Sequence, residues 1–181
     1  IEYGSGASQK VRILIEALER RLSYVAVDIS KQHLIEATLR LARSFPDLEV
    51  TAVCADYTKP FPVPQSKRYR ASHRAVFFPG STIGNLSPAE ARALLRTTAT
   101  VVGKGGSLLI GVDLKKDKEI LHAAYNDFSE VTAAFNLNLL TRINRDLQTD
   151  FDLSQFCHRA FYNSDQGRVE MHLESLASQT V

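Results

Sequence analysis

The sequence predicts an α/β protein built on a doubly wound, mostly parallel sheet. Short apolar runs typical of buried strands alternate with segments of helical periodicity from residue 1 to about residue 114. The alternation then stops, and two helical segments precede a pair of strand-like runs around the turn sequence Ser-Asp-Gln-Gly. We therefore expect a sheet core at residues 1–114 and a smaller helix-plus-hairpin lobe at residues 115–181.

Turn and capping signals define the first elements. Residues 1–3 are expected to end a strand, and Gly4-Ser5-Gly6 to form the turn after it. Ser8 is expected to cap a helix, and Ser30 a second helix that follows a strand closing at Asp28. The first helix should carry an apolar stripe of Val11, Leu14, Ile15, Leu18 and Leu22.

The later core elements follow the same order. Residues 48–57 and 74–78 are expected to form the third and fourth strands. Ser87 and Glu90 then have the spacing of a capping box, with a proline at the first helical position between them. After that helix, residues 107–114 are expected to form the fifth strand.

The lobe is predicted from a change of pattern. Residues 115–125 and 129–147 have helical periodicity, and residues 156–163 and 168–175 should pair as a hairpin. The longer helix should present one apolar face formed by Phe135, Leu139, Ile143 and Leu147.

The composition argues against several classes of function. Of the 181 residues, 44% are hydrophobic, and neither a membrane-spanning run nor a secretory leader is visible. The net charge of +2 comes without a basic tract, so no nucleic-acid partner is expected. Cys54 and Cys157 lie far apart and the histidines are scattered, which indicates a reducing, cytoplasmic compartment and no metal. Because the chain opens on "IEYGSG", already the end of a strand, we interpret it as a piece of a longer protein.

Ligands of open α/β sheets bind beyond the carboxyl ends of the strands, where this sequence places chemically useful residues. Gly4 and Gly6 allow a ligand to approach the backbone, although a plain tight turn would use them equally well. Asp28 can accept hydrogen bonds from ribose hydroxyls, or can be a solvated loop acid. Asp56 and Tyr57 suit an adenine, although Tyr57 alone is also typical of the edge of a core.

A loop of small residues, "GSTIGN", follows the fourth strand and ends at Asn85. Such a loop leaves room for a substrate, and Asn85 can donate from its amide; the alternative is that it satisfies backbone groups before the next helix. Together these strand ends predict a nucleoside-bearing cofactor. The third glycine of a dinucleotide fingerprint is replaced by Gln9, and no phosphoryl-transfer or metal machinery is apparent. S-adenosylmethionine, whose sulfonium needs mainly alignment from the protein, is therefore favoured.

Eight segments together resemble the histidine-specific methyltransferase family: "IEYGSGASQKVR", "VAVDIS", "ADYTKP", "FFPGSTIGN", "LLIGVDLKKD", "AYND", "AAFNLNLLTRINRDL" and "VEMHL". The resemblance covers essentially the whole chain. It implies a Rossmann-like, class I methyltransferase that uses S-adenosylmethionine. It also implies a small amino-acid substrate: three methyl groups pass to the α-amine of free L-histidine, giving hercynine in ergothioneine biosynthesis. We expect this enzyme to be a monomer.

The resemblance also implies residue roles at the cofactor. Gly4 and Lys10 would contact the methionine end, Asp28 the ribose, and Asp56 with Tyr57 the adenine.

On the substrate side, the resemblance implies that Asn85 and Tyr125 hold the α-carboxylate and that Gly80 lines the site. Met171 would lie near the imidazole, or would simply be an inward residue of its strand. No residue is an obvious general base; Tyr125 is a candidate. The family also uses an earlier N-terminal segment and a later Glu-x-Ser pair that recognises the imidazole, and neither lies in this chain. Two alternatives therefore stay open: another amino-acid or thiol-histidine acceptor, and a catalytically silent S-adenosylmethionine-binding module.

Overall fold

A computed structural model describes residues 1–18, 22–68, 70–178 and 180. The chain divides into two compact units, Ile1–Asp113 and Leu114–Val181, which we call the core unit and the hairpin unit. The core unit contains the following elements: β1 (Glu2–Tyr3), α1 (Gln9–Ala17), β2 (Ser23–Asp28), α2 (Lys31–Ser44), β3 (Glu49–Cys54), β4 (Ala75–Phe78), a 3₁₀ turn (Thr82–Asn85), α3 (Pro88–Val102) and β5 (Ser107–Ile110).

The five strands form one sheet in the order β3-β2-β1-β4-β5, and every neighbouring pair is parallel. The predicted doubly wound parallel sheet is therefore confirmed. Glu2 of β1 pairs with Ala26 on one side and with Phe77 on the other, so β1 lies at the centre. After β3 the chain crosses β1 to start β4, which makes the β1–β4 gap the switch point where open sheets bind ligands.

Helices cover the sheet on both faces. Alternate residues of each strand point to opposite sides, so each strand contributes side chains to both layers of packing. Val25 and Val27 of β2 pack in a cluster with Leu94 of α3. Tyr24 and Ala26, which alternate with these valines along β2, pack on the other face in a second cluster with residues of α1 and α2. The near-continuous burial of β2 is the pattern that a strand covered on both faces requires.

The three predicted N-cap residues of the core unit stand at the N-caps of their helices, but only Ser87 makes a capping bond through its side chain. The capping box of α3 is confirmed, since Glu90 N donates to Ser87 Oγ and Ser87 N donates to Glu90 Oε2. Ser8 stands at the predicted N-cap of α1, but its φ of 56° is left-handed and its side chain makes no capping bond. Ser30 does not cap α2 through its side chain either; its backbone N–H donates to Asp28 instead.

Several predicted elements are longer than the observed ones; strand β3, for example, ends at Cys54 instead of residue 57. Helix α1 ends at Ala17 and its predicted continuation to Leu22 crosses residues 19–21, which lie outside the described residues. Strand β5 ends at Ile110 instead of residue 114. Beyond the strand, Asp113 N donates to the Ser81 hydroxyl at 2.9 Å.

The hairpin unit contains α4 (Lys118–Tyr125), α5 (Val131–Leu147), a 3₁₀ turn (Leu153–Gln155), β6 (Phe156–Asn163) and β7 (Arg168–Ser175). β6 and β7 form the expected antiparallel hairpin. On α5 the predicted apolar face is largely exposed, with Phe135 72% and Leu139 53% accessible, while Leu140 is buried. Among the described residues, no helix has the length and apolar character needed to cross a membrane.

Candidate functional site

The glycine turn after β1 is tied to the end of β2. Gly4 has a φ of +63°, which favours glycine, and its N–H donates to Val27 O at 2.9 Å. Gly6 N donates to Asp28 Oδ2 at 3.2 Å, and Ser30 N donates to Asp28 Oδ1 at 2.9 Å. The Asp28 carboxylate therefore joins the turn to the start of α2, and each oxygen keeps a lone pair for a further donor.

Tyr57 lies against the same turn. Its ring carbon Cε1 is 3.8 Å from the position that a Cβ on Gly4 would occupy. One face of the ring stacks on Tyr3, with centroids 5.1 Å apart, and Phe78 meets it edge-on at 5.6 Å. Burial, and then the negative charges of Asp28 and Asp56, raise the pKa of Tyr57. Tyr57 is thus fixed by the core, beside two carboxylates.

Asp56 is held by its own loop. Its Oδ1 accepts from Thr58 N at 3.0 Å and from Thr58 Oγ1 at 2.6 Å, and its Oδ2 lies 3.3 Å from Lys59 Nζ. The hydrogen bond from the Thr58 hydroxyl is the main reason that the pKa of Asp56 lies below its usual range. The carboxylate is therefore ionised at neutral pH and able to accept from an exocyclic amine.

Lys10 and Gly80 are brought together although they lie on different elements. A Cβ on Gly80 would be 3.3 Å from Lys10 Nζ, and the φ of +95° at Gly80 disfavours any side chain. On its other side the Gly80 backbone N would be 3.1 Å from a Cβ on Gly111. Glycine at position 80 therefore lets the Lys10 ammonium lie close to the backbone, and glycine at position 111 lets the two backbone segments approach each other.

Asn85 ends the 3₁₀ turn that connects the loop at Gly80 to α3. Its side chain is exposed, and it makes no hydrogen bond within the part of the chain that the structure describes. The backbone groups at the start of α3 are instead satisfied by Ser87 and Glu90. The Asn85 amide is therefore available to a ligand.

A buried acid beneath the turn was missed by the sequence prediction. Glu2 is 2% exposed and accepts a hydrogen bond from the hydroxyl of Tyr24, itself 5% exposed. Burial raises the pKa of Glu2 to about 7, while the hydrogen bond from Tyr24 and, less strongly, the positive charge of Lys10 lower it. The available signal was an acid inside a strand expected to be buried.

In the hairpin unit, Tyr125 is the last residue of α4 and is half-buried. The next residue, Asn126, donates through Nδ2 to His122 O and to Ala160 O, both at 3.1 Å. Asp127 accepts from the N–H groups of Val131 and Thr132 at 2.9 Å each. The "AYND" segment is thus anchored on both sides of the α4–α5 connection.

Met171 lies on β7, directly opposite Ala160 of β6. Ala160 is buried, whereas Met171 is 41% exposed. Met171 is therefore partly accessible, although its partner on the neighbouring strand is covered.

The parallel sheet with a glycine turn after β1 and acids at the ends of β2 and β3 is the arrangement of a Rossmann-like protein. The whole chain, residues 1–181, matches the family described as "Histidine-specific methyltransferase, SAM-dependent". The chain belongs to this family, so the predicted resemblance is confirmed.

Relatives agree with this assignment. The chain is 41% identical over 184 residues to the histidine N-alpha-methyltransferase of Mycolicibacterium smegmatis and 40% identical to that of Mycobacterium tuberculosis. Each alignment covers 100% of this chain and 56% of the relative, so the chain spans little more than half of those proteins. It is also 31% identical over 147 residues to ergothioneine biosynthesis protein 1 of Neurospora crassa, covering 80% of the chain and 17% of that protein.

Proposed function

We propose that the protein carrying this chain transfers methyl groups from S-adenosylmethionine to the α-amine of free L-histidine, three times, giving hercynine for ergothioneine biosynthesis. The observation that carries the proposal is the match to the histidine-specific family over the whole chain. The proposal includes a monomer acting in the cytoplasm without a nucleic-acid partner. The net charge of +2 without a basic tract supports that last part.

The core unit fits the cofactor at its polar groups. Gly4 admits a close approach of the methionine end, and the Lys10 ammonium, beside the side-chain-free surface of Gly80, complements a carboxylate there. The free lone pairs of Asp28 suit ribose hydroxyls, and Asp56 beside the ring of Tyr57 suits an adenine. When bound, S-adenosylmethionine supplies a methyl group that is already activated.

The substrate roles rest on two observations besides the family. Asn85 presents an exposed amide with no intramolecular partner among the described residues, as a donor for an α-carboxylate requires. Gly80 adds no side chain beside the Lys10 ammonium. In the hairpin unit, Tyr125 is proposed to bind the same carboxylate and Met171 to contact the imidazole.

Alignment is the main catalytic contribution of these residues. Holding the carboxylate fixes the direction of the α-amine, and good orientation supplies up to roughly 7–11 kcal/mol of a barrier. The pKa of an α-amine is about 8, so much of the amine is protonated at neutral pH. The protonated amine must lose a proton before each methyl transfer. We assign that proton to water, either directly or through the Tyr125 hydroxyl as a relay that accepts the proton from the amine while passing its own proton to water.

The Asn85 role is tested by calorimetry on the intact protein. Asn85→Ala should weaken L-histidine binding about tenfold or more, the effect of losing a hydrogen bond to a charged group, and leave S-adenosylhomocysteine affinity unchanged. Gln65→Ala, which removes an exposed amide elsewhere in the core unit, is the control. The opposite pattern, in which only S-adenosylhomocysteine binding weakens, contradicts the assignment.

The acceptor is tested by mass spectrometry of the intact protein incubated with S-adenosylmethionine and a pool of free amino acids. Addition of three methyl groups to histidine alone supports the proposal. Methylation of a different amino acid, or of a thiol-histidine in preference to histidine, contradicts the acceptor. Cofactor binding without any methylated product identifies a silent binding module.

A further inference from the structure

The carboxyl end of α4 is held by side chains that the proposed chemistry does not use. The last carbonyls of a helix lack partners within the helix, and Tyr125 O is one of them. His158 of β6 donates to it, with Nε2 2.8 Å from Tyr125 O. The backbone of Tyr125 is therefore tied to the hairpin by an imidazole that lies 33 residues further along the chain.

Asn136 of α5 fixes the orientation of that imidazole. Its Nδ2 lies 3.0 Å from His158 Nδ1 and 3.0 Å from His172 O. A carbonyl oxygen only accepts, so His172 O identifies the Asn136 atom as the donating nitrogen. His158 Nδ1 must then accept, and Nε2 must carry the proton that Tyr125 O receives. One arrangement satisfies all three bonds, which sets a single tautomer and a single ring orientation.

We propose that His158 and Asn136 are positioning residues for the amino-acid substrate. They hold the backbone of Tyr125 at the end of α4, so that its side chain is presented to the α-carboxylate in one orientation. The inference rests on the proposed function, since it gives these residues an effect only through Tyr125. It also assigns a role to the first asparagine of "FNLN", which lies in one of the eight segments that carry the family resemblance.

A contrast within α5 separates positioning from general stabilisation. Asn144 also binds backbone groups, but those of the loop at Phe151, not of Tyr125. Asn138 is exposed, and within the described residues its amide makes no hydrogen bond. The same helix therefore offers one asparagine that reaches Tyr125 through His158, one that stabilises a distant loop, and one that serves as a neutral control.

The test is steady-state kinetics on the intact protein with L-histidine and S-adenosylmethionine. His158→Leu keeps the volume and removes both hydrogen bonds, and should raise KM for histidine about tenfold while KM for S-adenosylmethionine stays unchanged. His158→Gln can donate to Tyr125 O and accept from Asn136, and should stay within about threefold of the original KM. Asn136→Leu should resemble His158→Leu, and Asn138→Leu should resemble the unchanged protein.

Two results overturn the inference. One is an unchanged KM for histidine in both His158→Leu and Asn136→Leu, with only kcat reduced in proportion to lost folded protein. The other is an equal defect in His158→Leu and His158→Gln, which would show that the hydrogen-bond pattern is not used. If His158→Leu is too unstable to assay, the comparison of Asn136→Leu with Asn138→Leu decides in the same way.

Tyr125→Phe, measured in the same assay, separates the proposed role of Tyr125 from the proposed positioning role of His158 and Asn136. If Tyr125→Phe raises KM for histidine and the His158 and Asn136 variants do not, only the positioning inference fails. If Tyr125→Phe leaves KM unchanged, the proposed role of Tyr125 fails and the inference fails with it.

Discussion

The core unit and the hairpin unit are stabilised by different kinds of interaction. In the core unit, Ala26, Val27, Leu41 and Val76 are completely inaccessible, and two apolar clusters cover the two faces of the sheet. In the hairpin unit, only Leu140 and Ala160 among the described residues belong to the buried apolar set. There, asparagine and histidine side chains bind backbone groups between elements.

The difference matters because the two interactions do different work. Apolar burial is non-directional and contributes roughly 1.5–3 kcal/mol for each buried side chain. A neutral hydrogen bond contributes only about 1 kcal/mol net, but it fixes two atoms at a set distance and angle. The core unit therefore supplies folding stability, while the polar contacts of the hairpin unit mainly set the positions of backbone segments such as the end of α4.

The largest expected effect tests the apolar side of this comparison. Leu41 on α2 is 0% exposed, so Leu41→Ala leaves a cavity and should cost about 2–5 kcal/mol of unfolding free energy. Leu39, on the same helix, is 52% exposed, so Leu39→Ala should cost less than about 1 kcal/mol. Urea unfolding followed by circular dichroism measures both. Equal losses would show that packing under α2 does not stabilise the core unit.

Glu2 is the polar exception inside the apolar core, and its effect depends on pH. Folded Glu2 keeps its proton up to a pKa of about 7, whereas the unfolded group releases it near 4.5. Unfolding between these values releases a proton, so rising pH favours the unfolded state. Stability should fall by about 3 kcal/mol between pH 4.5 and pH 8, at 1.36 kcal/mol per unit of pKa.

Glu2→Gln should remove this pH dependence, because the amide does not ionise and its oxygen still accepts from Tyr24. Glu16→Gln changes an exposed acid of α1 and is the control. Unfolding free energies measured at pH 5 and pH 8 give the comparison. A Glu2→Gln protein that retains the full pH slope contradicts the buried-acid explanation.

Local signals in the sequence predicted much of the core unit. The order of strands and helices and the capping box of Ser87 and Glu90 depend on spacing within one element, and both are confirmed. Ser8 stands at the N-cap as predicted, but spacing does not reveal its left-handed backbone, and its side chain makes no capping bond. The apolar stripe of α5 shows a different limit. Periodicity identifies an apolar face, but it does not show whether another element covers that face, and Phe135 is largely exposed.

The candidate site was predicted in its residue types but not in its contacts. Small residues and acids at strand ends indicated Gly4, Asp28 and Asn85, because all parallel strands end at one edge of a sheet. The chain of Asn136, His158 and Tyr125 joins three elements separated by many residues, so no local pattern encodes it. Such contacts follow only from the pairing of the hairpin with the helices.

A smaller effect tests the directional side of the comparison. Asn144 donates to Phe151 O at 2.8 Å and accepts from Phe151 N at 2.8 Å and from Thr149 Oγ1 at 2.9 Å. Asn144→Ala leaves partly buried groups without partners and should cost about 1–3 kcal/mol. The change should be local, with faster hydrogen exchange at the Phe151 amide and unchanged exchange in β2 of the core unit. Asn138→Ala is the matched control, and faster exchange in both units would contradict the separation.

The smallest expected effect measures how much one directional hydrogen bond contributes to the stability of the core unit. In the unchanged protein Glu90 N lies 3.3 Å from its acceptor, Ser87 Oγ. Ser87→Ala removes this acceptor and should lower the free energy of unfolding by about 1 kcal/mol. Arg92→Ala, at an exposed position of α3, should change stability by less than about 0.5 kcal/mol. Unfolding in urea measures the difference between the two. A cost for Ser87→Ala equal to that of Leu41→Ala would overturn the division, since the core unit would then depend on directional bonds as strongly as on packing.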